Sequence, residues 1–63
     1  MNNATATLVS ELVGGETLLS REGGRTVIIG EVSLSSAMPG MVSAETDFGT
    51  LYLDPEEEVF VEN

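Results

Sequence analysis

Hydrophobic positions along this chain come in short runs separated by glycines. The breaks fall at Gly14-Gly15, Gly23-Gly24, Gly30, Gly40 and Gly49. Between them lie segments rich in Thr, Val, Ile and Leu, such as Thr26-Val27-Ile28-Ile29. Turn signals spaced about 8–12 residues apart, between β-branched segments, predict an all-β sandwich or barrel of short strands.

The sharpest local signal is Glu22-Gly23-Gly24-Arg25, because a Gly-Gly pair supplies the positive φ angles of a two-residue type I′ hairpin turn. That turn sets Glu22 opposite Arg25, Leu19 opposite Ile28, Leu18 opposite Ile29 and Glu16 opposite Glu31. The first segment admits two readings. As a strand, Thr7–Val13 joins Glu16–Arg21 through a second Gly-Gly hairpin at Gly14-Gly15. As a helix, Leu8, Val9, Leu12 and Val13 form an i, i+4 stripe, with Asn3 or Thr5 as cap and Gly14 as terminator. The Thr and Val content favours the strand.

Ser35–Gly40 reads as a loop, with Pro39-Gly40 favouring a type II turn. A strand over Met41–Asp47, a turn at Asp47-Phe48-Gly49 and a strand over Thr50–Leu53 follow. Asp54-Pro55-Glu56-Glu57 has the form of a helix start: an Asp cap, Pro at the first position and acids in the first turn. Val59-Phe60-Val61 reads as a strand only two residues later. A single 3₁₀ turn between two short strands satisfies both signals.

Five to six short antiparallel strands, one Pro-Gly loop and one late 3₁₀ turn resemble the plan of small SH3-like barrels, as one domain over residues 1–63. The resemblance is architectural and carries no function. In the Gly23-Gly24 register one sheet face shows Leu19, Ile28, Val32 and Leu34, and the other Leu18, Val27 and Ile29. A strand apolar on both faces needs cover on both. A bend at Gly30 can redistribute these residues; otherwise a second copy covers one face, and a homo-oligomer is expected. Phe48, Tyr52 and Phe60 are expected to fill the barrel.

Composition then narrows the chemistry. The 63 residues hold eleven Asp and Glu against two basic residues, Arg21 and Arg25, for a formal net charge of -9. His, Cys, Lys and Trp are absent. No disulfide can brace so small a chain, and thiolate–imidazole zinc sites are excluded. The start, Met-Asn-Asn-Ala-Thr-Ala-Thr, lacks the basic and apolar regions of a signal peptide. No apolar run approaches the roughly 20 residues of a bilayer span, and two arginines attract anionic lipid poorly. A soluble, cytoplasmic protein without membrane association is expected. The hydrophobic fraction of 41% argues for a folded chain against the disorder that high net charge favours.

Without His, Cys or Lys the chain lacks the commonest general base, the thiol nucleophile and the Schiff-base amine. No phosphate-binding lysine loop can form, and the serines have no base to activate them. The expectation is a protein without catalytic residues, cofactor or metal. Glu45 and Asp47 lie about 6.8 Å apart if both sit on one strand face, and Asp54 with Glu56, Glu57 and Glu58 clusters at a turn. Hard cations accept such oxygens, but no calcium-loop pattern is present. Asp54 is expected to cap a turn, with the following acids solvated.

The charge distribution says more than any motif. After Arg25 the chain carries eight acids, Glu31, Glu45, Asp47, Asp54, Glu56, Glu57, Glu58 and Glu62, and no base. Such a surface repels phosphates, so direct nucleic-acid binding is not expected. It favours the basic surface of another protein. In size and charge the chain resembles the small acidic proteins of phages and plasmids that mimic nucleic acid and block DNA-handling enzymes. The expected function is therefore a non-enzymatic, acidic protein-binding module, a viral-type inhibitor of a nucleic-acid-binding site, with Glu31, Glu45, Asp47, Asp54, Glu56, Glu57 and Glu58 facing the partner. Two alternatives stand beside it. One is a homo-oligomeric assembly subunit. The other is an oligomer enclosing a small ligand near the Met38–Met41 loop, with Arg21 and Arg25 holding an anionic nucleotide.

Overall fold

The structure, a computed structural model, describes residues 3–63. Six strands, β1 (Ala4–Leu8), β2 (Thr17–Leu19), β3 (Arg25–Leu34), β4 (Val42–Thr46), β5 (Gly49–Leu53) and β6 (Glu58–Glu62), form one antiparallel sheet. Its order is β1-β6-β2-β3-β4-β5. The all-β expectation holds, with six strands. The expected barrel does not close: β1 and β5 end the sheet on opposite sides, each with one partner.

β3, β4 and β5 form a meander joined by local turns. Gly40, at φ +84°, and the Met41 N–H donating to the Met38 carbonyl at 3.0 Å make Met38–Met41 the expected type II turn. At the next hairpin, Thr46 opposes Gly49 across Asp47-Phe48. The Thr46 hydroxyl ties that turn, donating to the Gly49 carbonyl at 2.7 Å and accepting the Phe48 N–H at 3.1 Å.

The β2–β3 hairpin differs from the expected two-residue turn. Leu18 opposes Thr26 and Leu19 opposes Arg25. The loop is Arg21-Glu22-Gly23: the Gly23 N–H donates to the Ser20 carbonyl at 3.1 Å, and the Ser20 N–H to the Gly24 carbonyl at 2.9 Å. This is the three-residue hairpin with a left-handed third position, supplied by Gly23 at φ +90°. The Ser20 hydroxyl selects it by accepting the Gly24 N–H at 2.9 Å. The register is displaced by three residues from the expected one, an odd number, so side chains exchange faces. Leu18 therefore points inward beside Ile28, and Glu16 does not oppose Glu31.

Nor do residues 7–13 form one strand or one helix. β1 ends at Leu8, and Val9–Glu11 is a 3₁₀ turn. This is the 3₁₀ turn of the fold, placed early rather than late. Asp54–Glu57 is instead a single β-turn, with the Glu57 N–H donating to the Asp54 carbonyl at 3.0 Å. The expected β1–β2 hairpin at Gly14-Gly15 is absent because β6 lies between them. Gly15 and Glu16 jointly oppose Ile28, a bulge in which Gly15 takes φ +88°.

The core is aliphatic: Val9, Leu12, Leu18, Ile28, Val42 and Ala44 are buried, with Val32, Leu51, Leu53, Val59 and Val61 packed against them. Strands four positions apart in the sheet thus contribute to one cluster, so the sheet curls around it. Ladder pairing on β3 slips between Ile28 and Val32, bracketing Gly30 where the bend is expected. Val9 and Ile28 are completely buried, each worth about 1.5–3 kcal/mol relative to an exposed side chain. The aromatics do not fill the interior. Phe48, Tyr52 and Phe60 are 78%, 42% and 50% exposed. Val59 and Val61 take the inward positions of β6, which turns Phe60 outward beside Leu19 and Ala6.

Candidate functional site

The acids divide into those that hold the fold and those that face water unengaged. Glu16 holds the Gly-Gly corner, its carboxylate accepting the Val13 and Gly14 N–H groups at 2.8 and 2.7 Å. Burial on its own raises the Glu16 pKa, but the bonds from the Val13, Gly14 and Glu16 N–H groups outweigh it and leave the pKa below the usual value. Asp47 accepts the Val27 N–H at 3.1 Å and so ties the β4–β5 turn to β3. Asp54 accepts the Glu56 N–H at 2.8 Å, the expected cap. Glu45 accepts the Thr50 hydroxyl across the strand pair at 2.6 Å. Glu62 pairs with Arg25 at 2.5 Å on the surface.

Of the acids singled out in the sequence, Glu31, Glu56, Glu57 and Glu58 are exposed, and their carboxylates accept no hydrogen bond among the described residues. Glu31 lies on β3, Glu56 and Glu57 in the β5–β6 turn, and Glu58 at the start of β6. Among the described residues no three acids converge on a cation-sized site. Arg21 is exposed in the β2–β3 loop, while Arg25 is committed to Glu62.

An apolar cleft of about 330 Å³ opens beside the core, marked by no motif in the sequence. Val9 and Ser10 of the 3₁₀ turn and Leu12 just after it line one part, Val32, Ser33 and Leu34 of β3 another, with Val42 and Pro55 completing it. Two backbone bonds position the first part: the Val9 N–H donates to the Glu57 carbonyl at 2.9 Å, and the Ser10 N–H to the Pro55 carbonyl at 3.0 Å. The 3₁₀ turn is thus pinned to the acidic β5–β6 turn. The available signals were Val9 and Leu12 on the apolar stripe and Pro55 in its turn. Nothing in their spacing joins them to residues 32–34.

The cleft lining includes Ser10 and Ser33 and no ionisable residue. It offers apolar contact and hydrogen bonding, without an acid–base pair or a nucleophile with its base. No helix among the described residues is long and apolar enough to cross a membrane. No family model matches the chain, and neither a curated protein nor a solved structure matches it.

Proposed function

We propose that this chain is a non-enzymatic, acidic interaction module that docks on a basic surface of another protein. In its sharpest form it is an inhibitor that occupies a nucleic-acid-binding groove, as phage-type mimics of nucleic acid do. One observation carries the reading: Glu31, Glu56, Glu57 and Glu58 project unengaged carboxylates from a chain with no basic residue beyond Arg25. Carboxylates that brace turns would explain themselves; these do not. A field of one sign raises encounter rates with a cationic partner and is screened by salt. Capture of partners from the lysate of the source cell, at low salt and at about 0.5 M, tests it. Retention of a nucleic-acid-binding protein that is lost at high salt is expected. Capture indifferent to salt would remove the electrostatic basis.

A second reading has its own support. The outward face of β1, β6, β2 and β3 presents Leu8, Phe60, Leu19 and Val27 in neighbouring positions. A homo-oligomer that buries this face would be an assembly subunit. Light scattering at low and high salt separates the two. A salt-independent oligomer that Phe60→Ser dissolves favours assembly, and a monomer at both favours the inhibitor.

A further inference from the structure

β3 runs for ten residues, but its neighbour on one side covers only the first part. β2 pairs with Arg25, Thr26 and Val27, and the Gly15–Glu16 bulge covers Ile28. Gly14 then packs so closely on the Gly30 carbonyl that a Cβ there would sit 2.5 Å from the oxygen. Beyond that point the chain turns away to the 3₁₀ turn.

On the other side β4 pairs with β3 through Leu34. Bonded and non-bonded pairs alternate along an antiparallel ladder. The Ser35 N–H donates to the Met41 carbonyl at 2.9 Å, which makes Ser33–Ser43 the preceding bonded pair. The N–H and C=O groups of Val32 and Leu34 therefore point away from β4, toward the side β2 has vacated. Among the described residues they meet no partner there. The side chains of Val32 and Leu34 share the face of Ala44 and Val42 and line the cleft. Leu34 is 79% exposed, so this wall is open to an incoming chain.

We propose that this free segment of β3 and the cleft beside it bind an extended basic segment of a partner protein. The segment adds to the sheet as a short strand and places one apolar side chain in the cleft. Strand addition supplies backbone bonds to Val32 and Leu34, while alternate side chains of the added strand meet the Val9–Leu12–Val42 floor. The cleft volume lies at the lower end of the range for ligand sites, about 300–1,000 Å³. Charge decides the occupant. Glu31 precedes Val32, Glu11 stands between Ser10 and Leu12, and Asp54 and Glu56 flank Pro55. Arg25 is seven residues back along β3, about 24 Å away. A second copy of this chain, itself at -9, is repelled from such a rim, whereas lysine or arginine flanking an apolar residue is attracted. The site rests on the reading of the chain as a module for a basic partner and gives that reading a location.

The test uses the full chain and three synthetic peptides: one alternating lysine with valine or leucine, one of lysine alone, and one with glutamate in place of lysine. Nuclear magnetic resonance follows the backbone amides. The alternating basic peptide is expected to bind best, to shift the Val32 and Leu34 amides, and to slow their hydrogen exchange. Leu34→Pro removes an N–H that β4 does not use and is expected to weaken binding about tenfold or more. If that variant fails to fold, methylating alternate backbone nitrogens of the peptide must produce the same loss. Binding of basic peptides at the Phe60 face or the Glu56–Glu58 turn, unchanged by Leu34→Pro, would overturn the site and leave the basic-partner reading standing. Equal binding of the glutamate peptide would overturn both. Absence of binding by all three overturns the strand site, and salt-sensitive partner capture then judges the broader reading alone.

Discussion

The two halves of the sheet share β3 and little else. The β3-β4-β5 half is a meander whose outward face carries Ser33, Ser43, Glu45, Thr50 and Tyr52. The β1-β6-β2 half joins residues as distant as Ala4 and Glu62, and its outward face carries Ala4, Ala6, Leu8, Leu19 and Phe60 together with Glu58 and Glu62. The local half presents mostly polar groups to water on that side. The non-local half presents an apolar cluster, Ala6, Leu8, Leu19 and Phe60, with Glu58 and Glu62 at its ends. The apolar cluster around Phe60 thus lies on the half built by long-range pairing, and the vacant edge of β3 lies at the junction of the two.

Breaking that junction has the largest expected consequence. Ile28 opposes Thr46 on one side and the Gly15–Glu16 bulge on the other, fully buried between the halves. Ile28→Ala is expected to cost about 2–5 kcal/mol, against a total stability of about 3–9 kcal/mol for a chain of this size. Urea titration should find its midpoint far below that of the parent, while Ile29→Ala, at a position 67% exposed, stays within about 0.5 kcal/mol of the parent.

Gly14 marks the corner where the non-local half leaves β3. Its φ of +121° and its approach to the Gly30 carbonyl both forbid a side chain. Gly14→Ala is expected to cost about 2–3 kcal/mol in the same titration. Gly15→Ala, at φ +88° with open space around it, should cost about 1 kcal/mol.

Glu16 sharpens the comparison through pH. Its folded pKa lies below the ordinary value of 4.5, so its contribution is fully present above that value and fades as the pH falls through the folded pKa. Glu16→Gln should lower the melting temperature at neutral pH by the equivalent of about 1 kcal/mol. The gap should close in acid; a gap constant with pH would deny the carboxylate its role. Smallest is Arg25→Ala, which removes an exposed ion pair with Glu62 and should change stability by less than about 1 kcal/mol.

What can be read from sequence follows the range of the contacts rather than the halves of the sheet. Strands β4, β5 and β6, the Pro39-Gly40 turn and the Asp54 cap were legible because each depends on residues a few positions apart. The Gly23-Gly24 pair marks the hairpin but not its register, because the Ser20 hydroxyl favours a three-residue loop over the Gly-Gly turn. Insertion of β6 between β1 and β2 left no local mark, and with it went the inward or outward sense of Phe60. Of the candidate site, the acids were visible as composition. Which carboxylates hold backbone N–H groups, and that a cleft opens beside Val32 and Leu34, depend on contacts between segments far apart in sequence.

The place of β6 also orders events during biosynthesis. β1 emerges from the ribosome early, yet its partner in the sheet is residues 58–62, and β2 likewise lacks one neighbour until they appear. The meander depends on neighbouring segments alone, while β1 waits with an unpaired backbone until residues 58–62 have been made. Loss of residues 58–62 by a premature stop would therefore strand β1 as well, and a nascent chain held short of them would be expected to be sensitive to proteases at its N-terminal end.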